Sequence, residues 1–239
     1  MGEPVFSIRS FIKWKHEPLF NEPTSTWVLT ASNGEFVDTR VVLDTKSKSK
    51  NWFVAGLEKE IDTKEGYLYT ILFIAILNNF SESEIPSEDA GNFKKLDSTS
   101  LEFKMSLNDK DYKSLDFEHH RLEEGFMANP DFDDRIEDYQ EIWNTIDPIR
   151  SNPDCLLSSN EDHTKIDSKV YKSFNSKGKE IGRYVTVGKF GMGVFKTEVN
   201  DFVAVRTFEK KCVYESHKGA YDLFDRDTNE KQWKLTFED

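Results

Sequence analysis

The sequence predicts an all-β protein, a barrel or sandwich of many short antiparallel strands with at most short helices. Three observations predict it. Apolar and polar residues alternate with a period of two through much of the chain. Polar turns separate these segments at short intervals. Aromatic residues make up 13% of a chain whose apolar share is 37%, so rings must supply much of the core. With 239 residues the chain can form one large domain or two small ones.

The elements follow in order. "VFSIRSFIKW" reads as a strand of imperfect alternation. "TSTWVLTAS" and "EFVDTRVVL" alternate cleanly around Asn33-Gly34, a pair that predicts a type I′ hairpin turn because both residues tolerate positive φ. "KSKSK" is a polar loop and "NWFVAGLEKE" a short strand. "YLYTILFIAIL", Tyr67 to Leu77, follows a Glu65-Gly66 turn and is rich in β-formers, which predicts a strand buried on both faces. "SESEIPSEDAGN", Ser81 to Asn92, has the Pro, Gly and acidic content of a loop. "SLEFKMSL" places Leu101, Phe103, Met105 and Leu107 on one face of a half-buried strand, whereas "DKDYKSLDFEHH" follows neither period.

Between Asp131 and Pro148 the spacing of Ile136, Tyr139, Ile142, Trp143 and Ile146 predicts a short amphipathic helix, capped by Asp133 or Asp134 and ended before Pro148. "IRSNPDCLLSSNEDHTKID" is a connector. Strand patterns then return in "KVYKSF", "GRYVTVGKF", "GVFKTEV", "DFVAVRTFE", "KCVYES" and "QWKLTFED". Two strand-rich halves flank an acidic middle, and no long motif repeats.

Charge and composition narrow the function. The net charge is −12, from 44 acidic and 32 basic residues, without a basic block, so no nucleic-acid partner is expected. An acidic surface suits a soluble protein that meets basic partners. Cys155 and Cys212 form neither a metal motif nor a disulfide framework. The first residues carry no continuous apolar signal segment, and Phe6 stands where a myristoylation signal needs Ser or Thr. The Tyr67–Leu77 run is too short for a membrane helix of about 20 residues. An intracellular, soluble protein without membrane insertion is expected.

The stretch "GKFGMGVFKTEVNDFVAVR", Gly188 to Arg206, imitates a kinase nucleotide loop. The middle glycine of that loop falls at Phe190, the strand lysine at Arg206, and the remainder holds no catalytic or metal-binding kinase motif. Gly188, Gly191 and Gly193 instead mark bends or close backbone approach in a β region. This region should be β throughout.

No metal site is expected. His16, His119, His120, His163 and His217 match no ligand spacing, and "DFDDRIEDYQEI" lacks the ligand and glycine of a calcium loop at Arg135 and Ile136. There is no nucleophile elbow, so no catalytic residue and no cofactor are assigned. Ser81, Ser83 and Ser87 lie among acids that attract acid-directed kinases, which makes them candidate phosphorylation sites. Trp27, Trp52 and Trp143 are candidate cavity-lining residues if a barrel is hollow.

Several segments in order, "SIRSFIKW", "EPTSTWVLTASNGEFVDTRVVL", "WFVAG", "EEGFMANP", "YQEIWNTIDP" and "GRYVTVGKFGMGVF", resemble the fungal Hri family of casein-kinase-I-interacting proteins. The resemblance runs from about Ser7 to Glu209, and Met192 departs from the polar residue usual there. It implies two tandem lipocalin-like (calycin-like) antiparallel β-barrel domains, divided as 1–117 and 118–239 with the boundary anywhere in 110–160. It also implies a cytoplasmic and nuclear protein without catalytic activity. The implied partners are casein kinase I and a subunit of the Sec63 translocation complex. The function expected is a non-enzymatic interaction module that presents its acidic surface or the Ser81–Asn92 loop to the kinase. The alternative is binding of a small hydrophobic ligand in a barrel cavity.

Overall fold

The computed structural model describes residues 2–44, 50–80, 85–129, 135–159, 165–199, 201–224 and 232–239. Eight antiparallel strands close into a barrel, each bonded to its neighbour in sequence. They are β1 (Val5–Trp14), β2 (Thr24–Thr30), β3 (Glu35–Val42), β4 (Trp52–Ile61), β5 (Tyr69–Asn78), β6 (Ser87–Lys95), β7 (His120–Asn129) and β8 (Arg135–Ile146). β8 returns to β1 and closes the ring. The strand expected at Tyr67–Leu77 is β5. Strands β7 and β8 continue the barrel through Ile146.

The second half departs from the expected second barrel. β9 (Ser168–Phe174), β10 (Glu180–Val187), β11 (Phe190–Lys196), β12 (Phe202–Phe208), β13 (Lys211–Glu215) and β14 (Lys234–Glu238) form an open sheet in the order β13-β12-β11-β10-β9-β14. Layer packing removes the need to close. Val170, Val185, Val187, Phe190, Met192, Val194 and Ala204 pack on the barrel's outer wall through Phe6, Leu29, Val37, Phe53 and Leu77. The sheet's other face is covered by Phe224, Trp233 and Ala220, the last in a 3-10 turn at Ala220–Leu223. A sheet buried on both faces by other elements is a stable solution without curling.

Four local expectations are corrected. The Asp131–Pro148 helix is strand β8, bonded to both β1 and β7; Asp133 and Asp134 lie outside the described residues. Its helical spacing is a coincidence of two buried faces. Ile142 and Ile146 join cores outside the barrel, while Tyr139 and Glu141 lie on the opposite parity. The Ser81–Asn92 loop is β6 from Ser87 onward, and Gly91 leaves the space of a Cβ to the Glu123 carboxylate.

"SLEFKMSL" contains α1 (Leu101–Met105), where Ser100 Oγ accepts from the Phe103 amide as an N-cap. Leu101 and Met105 are exposed, whereas Phe103 and Leu107 pack in the cluster around Phe20. The aperiodic stretch after it forms α2 (Asp109–Ser114), capped by Asn108. At Asn33-Gly34 only Gly34 has positive φ, +83°, and its amide donates to Ala31 C=O at 2.8 Å. This is a turn with a single left-handed glycine, not the type I′ turn expected. The two-residue turn with both φ positive lies elsewhere, at Glu209 (47°) and Lys210 (67°) between β12 and β13.

The Gly188–Arg206 stretch supplies β11 and most of β12, with a turn at 198–199 after β11. Gly188 sits in the preceding turn with φ +55°. Gly191 and Gly193 are not bends. They let Tyr184, Thr207 and Phe224 lie directly on the backbone. Among the described residues no helix is long and apolar enough to cross a membrane.

Candidate functional site: a charged barrel interior

Alternation along a closed barrel sends one parity inward. Here that parity is unusually polar. β1 supplies Arg9, β3 supplies Asp38 and Arg40, β7 supplies Glu123, and β8 supplies Glu141. Arg9 is held by a carboxylate on either side. Its Nε and Nη2 donate to Glu22 at 2.9 and 3.0 Å, and its Nη1 donates to Glu141 Oε1 at 2.5 Å. Arg40 Nη1 donates to the same Glu141 oxygen at 3.2 Å, while its Nε donates to Asp38 at 2.9 Å. Glu141 thus bridges two arginines from different walls, and side chains cross the interior. Fixed, doubly bonded guanidinium groups of this kind are stable only with complete pairing.

The neighbouring carboxylates are short of cations. Glu123 lies opposite Glu141 in register and accepts from Tyr139 OH at 2.8 Å. Burial, and next the nearby Glu141 charge, push its carboxyl up to about 8. Glu58 accepts from Thr30 Oγ1 at 3.2 Å, and burial pushes it up to about 7. Burial also raises Asp89, against the pull of its own Ala90 amide. The interior therefore stores protons near neutrality. Among the described residues, Asp38 Oδ1 and Trp143 Nε1 are buried without a hydrogen-bond partner.

A second charge site ties the two layers. Arg206, the residue standing where a kinase would carry its lysine, is 4% exposed and reaches from the sheet into the barrel wall. It donates to Ser25 Oγ and Thr39 Oγ1 at 2.8 Å each, and to Ser25 O and Thr39 O at 2.6 and 2.7 Å. Its guanidinium lies 4.6 Å over the Trp27 ring. No carboxylate contacts it among these bonds, and burial lowers it to about 9. Arg183, fully buried, donates to Gly56 O and pairs with Glu180 at 2.8 Å.

The three tryptophans fall in three environments. Trp27 packs at the layer interface, 5.2 Å from Phe6 and 5.9 Å from Phe190 by ring centroid. Trp52 lies beneath Arg40, 5.4 Å from its guanidinium carbon, and packs on Phe80. Trp143 stands in register between Arg9 and Arg121. The structure thus brings Trp52 and Trp143 to the charge cluster and sets Trp27 apart from it. Ser87 is exposed at the start of β6; Ser81 and Ser83 lie outside the described residues. Asp116, Glu118 and His119 cluster at the surface, where His119 pairs with Asp116 at 2.7 Å.

Arg9, Arg40 and Glu141 are not among the site residues expected from the sequence. The available signal was a charge on the strand parity shared with buried neighbours, as in Asp38 and Arg40 within "EFVDTRVV".

Fold and site together define an antiparallel barrel with a charged, bridged interior, backed by an open sheet that shares its core. The chain belongs to the HRI1 family: the family model described as Protein HRI1 matches residues 5–239. The crystal structure of the uncharacterized protein YLR301w from Saccharomyces cerevisiae is similar, with a TM-score of 0.61 and 17% identity over 98% of this chain and 85% of that one. At that identity the likeness concerns the fold. No curated protein matches the chain.

Proposed function

We propose that this protein is a non-enzymatic interaction module whose recognition chemistry lies on its surface. The observation that carries the reading is the Arg9–Glu141–Arg40 bridge across the barrel. A barrel crossed by bonded charges offers an apolar guest poor company, because displacing the bridge strands buried ions. That weighs against the hydrophobic-ligand alternative. The barrel is read as lipocalin-like in its up-and-down order, with the two units dividing in the connector after Ile146. By family resemblance the partners are casein kinase I and a subunit of the Sec63 translocation complex, met in the cytoplasm and nucleus. Ser81, Ser83 and Ser87 are the proposed phosphate acceptors.

The test is a pull-down with purified casein kinase I. The segment before β6 is replaced by a Gly/Ser linker, leaving Ser87–Lys95 intact because that strand links β5 to β7 in the barrel. Recovery of the kinase by the wild type and its loss on replacement supports the reading. Recovery of none by the wild type overturns the kinase assignment.

A further inference from the structure

A surface groove of about 410 Å³ on the barrel's outer wall runs against the charge of the whole molecule. The chain carries −12, yet the groove is lined by Lys13, Lys15 and Lys64 beside Tyr67, Phe126 and Gln140. A fourth lysine, Lys94, lies 5.6 Å over the Tyr67 ring, and Lys64 lies 5.8 Å over it. Strand pairing fixes the layout. Lys13 of β1 stands opposite Gln140 of β8, and Phe126 of β7 stands opposite Asp138. Two carboxylates hold the floor in place. Glu124 accepts from Tyr67 OH at 2.8 Å, from Gln140 at 2.7 Å and from Lys94 at 2.8 Å, while Asp138 pairs with Lys15 at 2.6 Å.

Phe126 lines the groove and Ile136 lies just beyond it, diagonally across the β7–β8 pair; they are 60% and 62% exposed. Large exposed apolar side chains beside a concave charged wall mark a recognition surface more than a solvated one. Lys15 and Lys94 are paired with Asp138 and Glu124, which leaves a surplus of two lysines, Lys13 and Lys64, on this wall of a chain that carries −12.

We propose that this groove docks an acidic amphipathic segment of a partner protein, its carboxylates on Lys13, Lys15 and Lys64 and its apolar side chains on Phe126 and Ile136. A uniform polyanion fits less well, because Glu124 and Asp138 would repel phosphates laid evenly along the groove. A flat bilayer surface cannot enter a concave one. An alternating acidic and apolar chain meets the lysines and the apolar side chains at once.

The experiment uses the full chain and two synthetic peptides, one alternating glutamate with leucine and phenylalanine, the other polyglutamate. Binding is measured by calorimetry at low and high salt. The alternating peptide should bind more tightly than polyglutamate and weaken with salt. Lys13→Glu with Lys64→Glu should weaken it at least about tenfold, whereas Lys177→Glu with Lys210→Glu should leave it unchanged. Phe126→Ala should weaken the alternating peptide and not polyglutamate. Lys13→Gln with Lys64→Gln serves as a milder variant should the reversal perturb folding, which circular dichroism reports. No binding of the alternating peptide, equal binding of both peptides, indifference to the lysine substitutions, or tighter binding of duplex DNA or phosphatidylserine vesicles would each overturn the proposal.

Discussion

Single residues inside the barrel carry the sharpest consequences. Glu141 offsets the repulsion between Arg9 and Arg40 by bonding to both. Glu141→Ala would leave two buried guanidinium groups facing each other, and breaking a buried pair of this kind costs about 3–5 kcal/mol. Urea denaturation of the variant should show that loss. Replacing Arg9, Arg40 and Glu141 together by apolar residues should cost far less when Glu22→Gln and Asp38→Asn are made with them, because the carboxylates those arginines bond are then not stranded either. Glu123 makes a second prediction, about pH. Its folded pKa, about 8, lies above the ordinary carboxyl value of 4.5, so in that window the folded chain keeps a proton the unfolded chain has lost. Its contribution is fully present below about pH 4.5 and is lost as pH rises through about 8. The slope from this one group is at most about 1.4 kcal/mol per pH unit. Glu123→Gln should flatten the fall in stability between pH 5 and 8 relative to wild type; an unchanged slope would refute the assignment. Glu58, raised to about 7, adds to the same slope, so Glu58→Gln should flatten it further.

At the scale of elements, the β12–β13 hairpin turns on Glu209 and Lys210, both with positive φ and neither of them Gly, Asn or Asp. Left-handed backbone costs residues with a Cβ roughly 1–2 kcal/mol each. The Lys210 carbonyl accepts from Tyr221 OH and the Glu209 amide donates to Lys189 O, contacts that hold the turn in place despite the strain. Glu209→Asn with Lys210→Gly retains both backbone contacts and relieves the φ penalty. The pair should raise stability by about 1 kcal/mol, seen as a higher melting temperature. A fall in melting temperature would mean that the two side chains do more than tolerate the turn. The same element shows what sequence reading misses. An Asn-Gly pair announces a type I′ turn by propensity, but at Asn33 the Asx contact to the Glu35 amide selects a different turn. At Glu209-Lys210 register between two strands imposes the φ values that propensity argues against.

For the whole molecule, the all-β class and most strands were legible because turn chemistry and alternation agree along β2, β3 and β9 to β12, and because β5 is a run of β-formers after a Glu-Gly turn. The strand β8 was not, since a wall with ions on one side and aliphatic packing on the other carries apolar residues on both parities. Nor was the charge cluster, because Arg9, Arg40 and Glu141 come from strands far apart in sequence and meet only when the ring closes. The second half was expected to curl into its own barrel, and its aromatic strands look the same whether they line a barrel or lie against one. What decides the architecture is the shared core, in which Phe6 packs 4.8 Å from Phe190 by ring centroid and Thr39 bonds Arg206. A core drawn from both layers predicts that they unfold together. Phe190→Ala should cost about 3–5 kcal/mol. It should lower the barrel's stability, read by hydrogen exchange at β7 and β8, as much as the sheet's, read at β10 and β11. Neither β7 nor β8 contributes a side chain to that core except through Ile146, so coincident loss there reports coupling between layers and not local packing. If β10 and β11 lose protection while β7 and β8 keep it, the two layers are separate cooperative units and the shared core is only an interface.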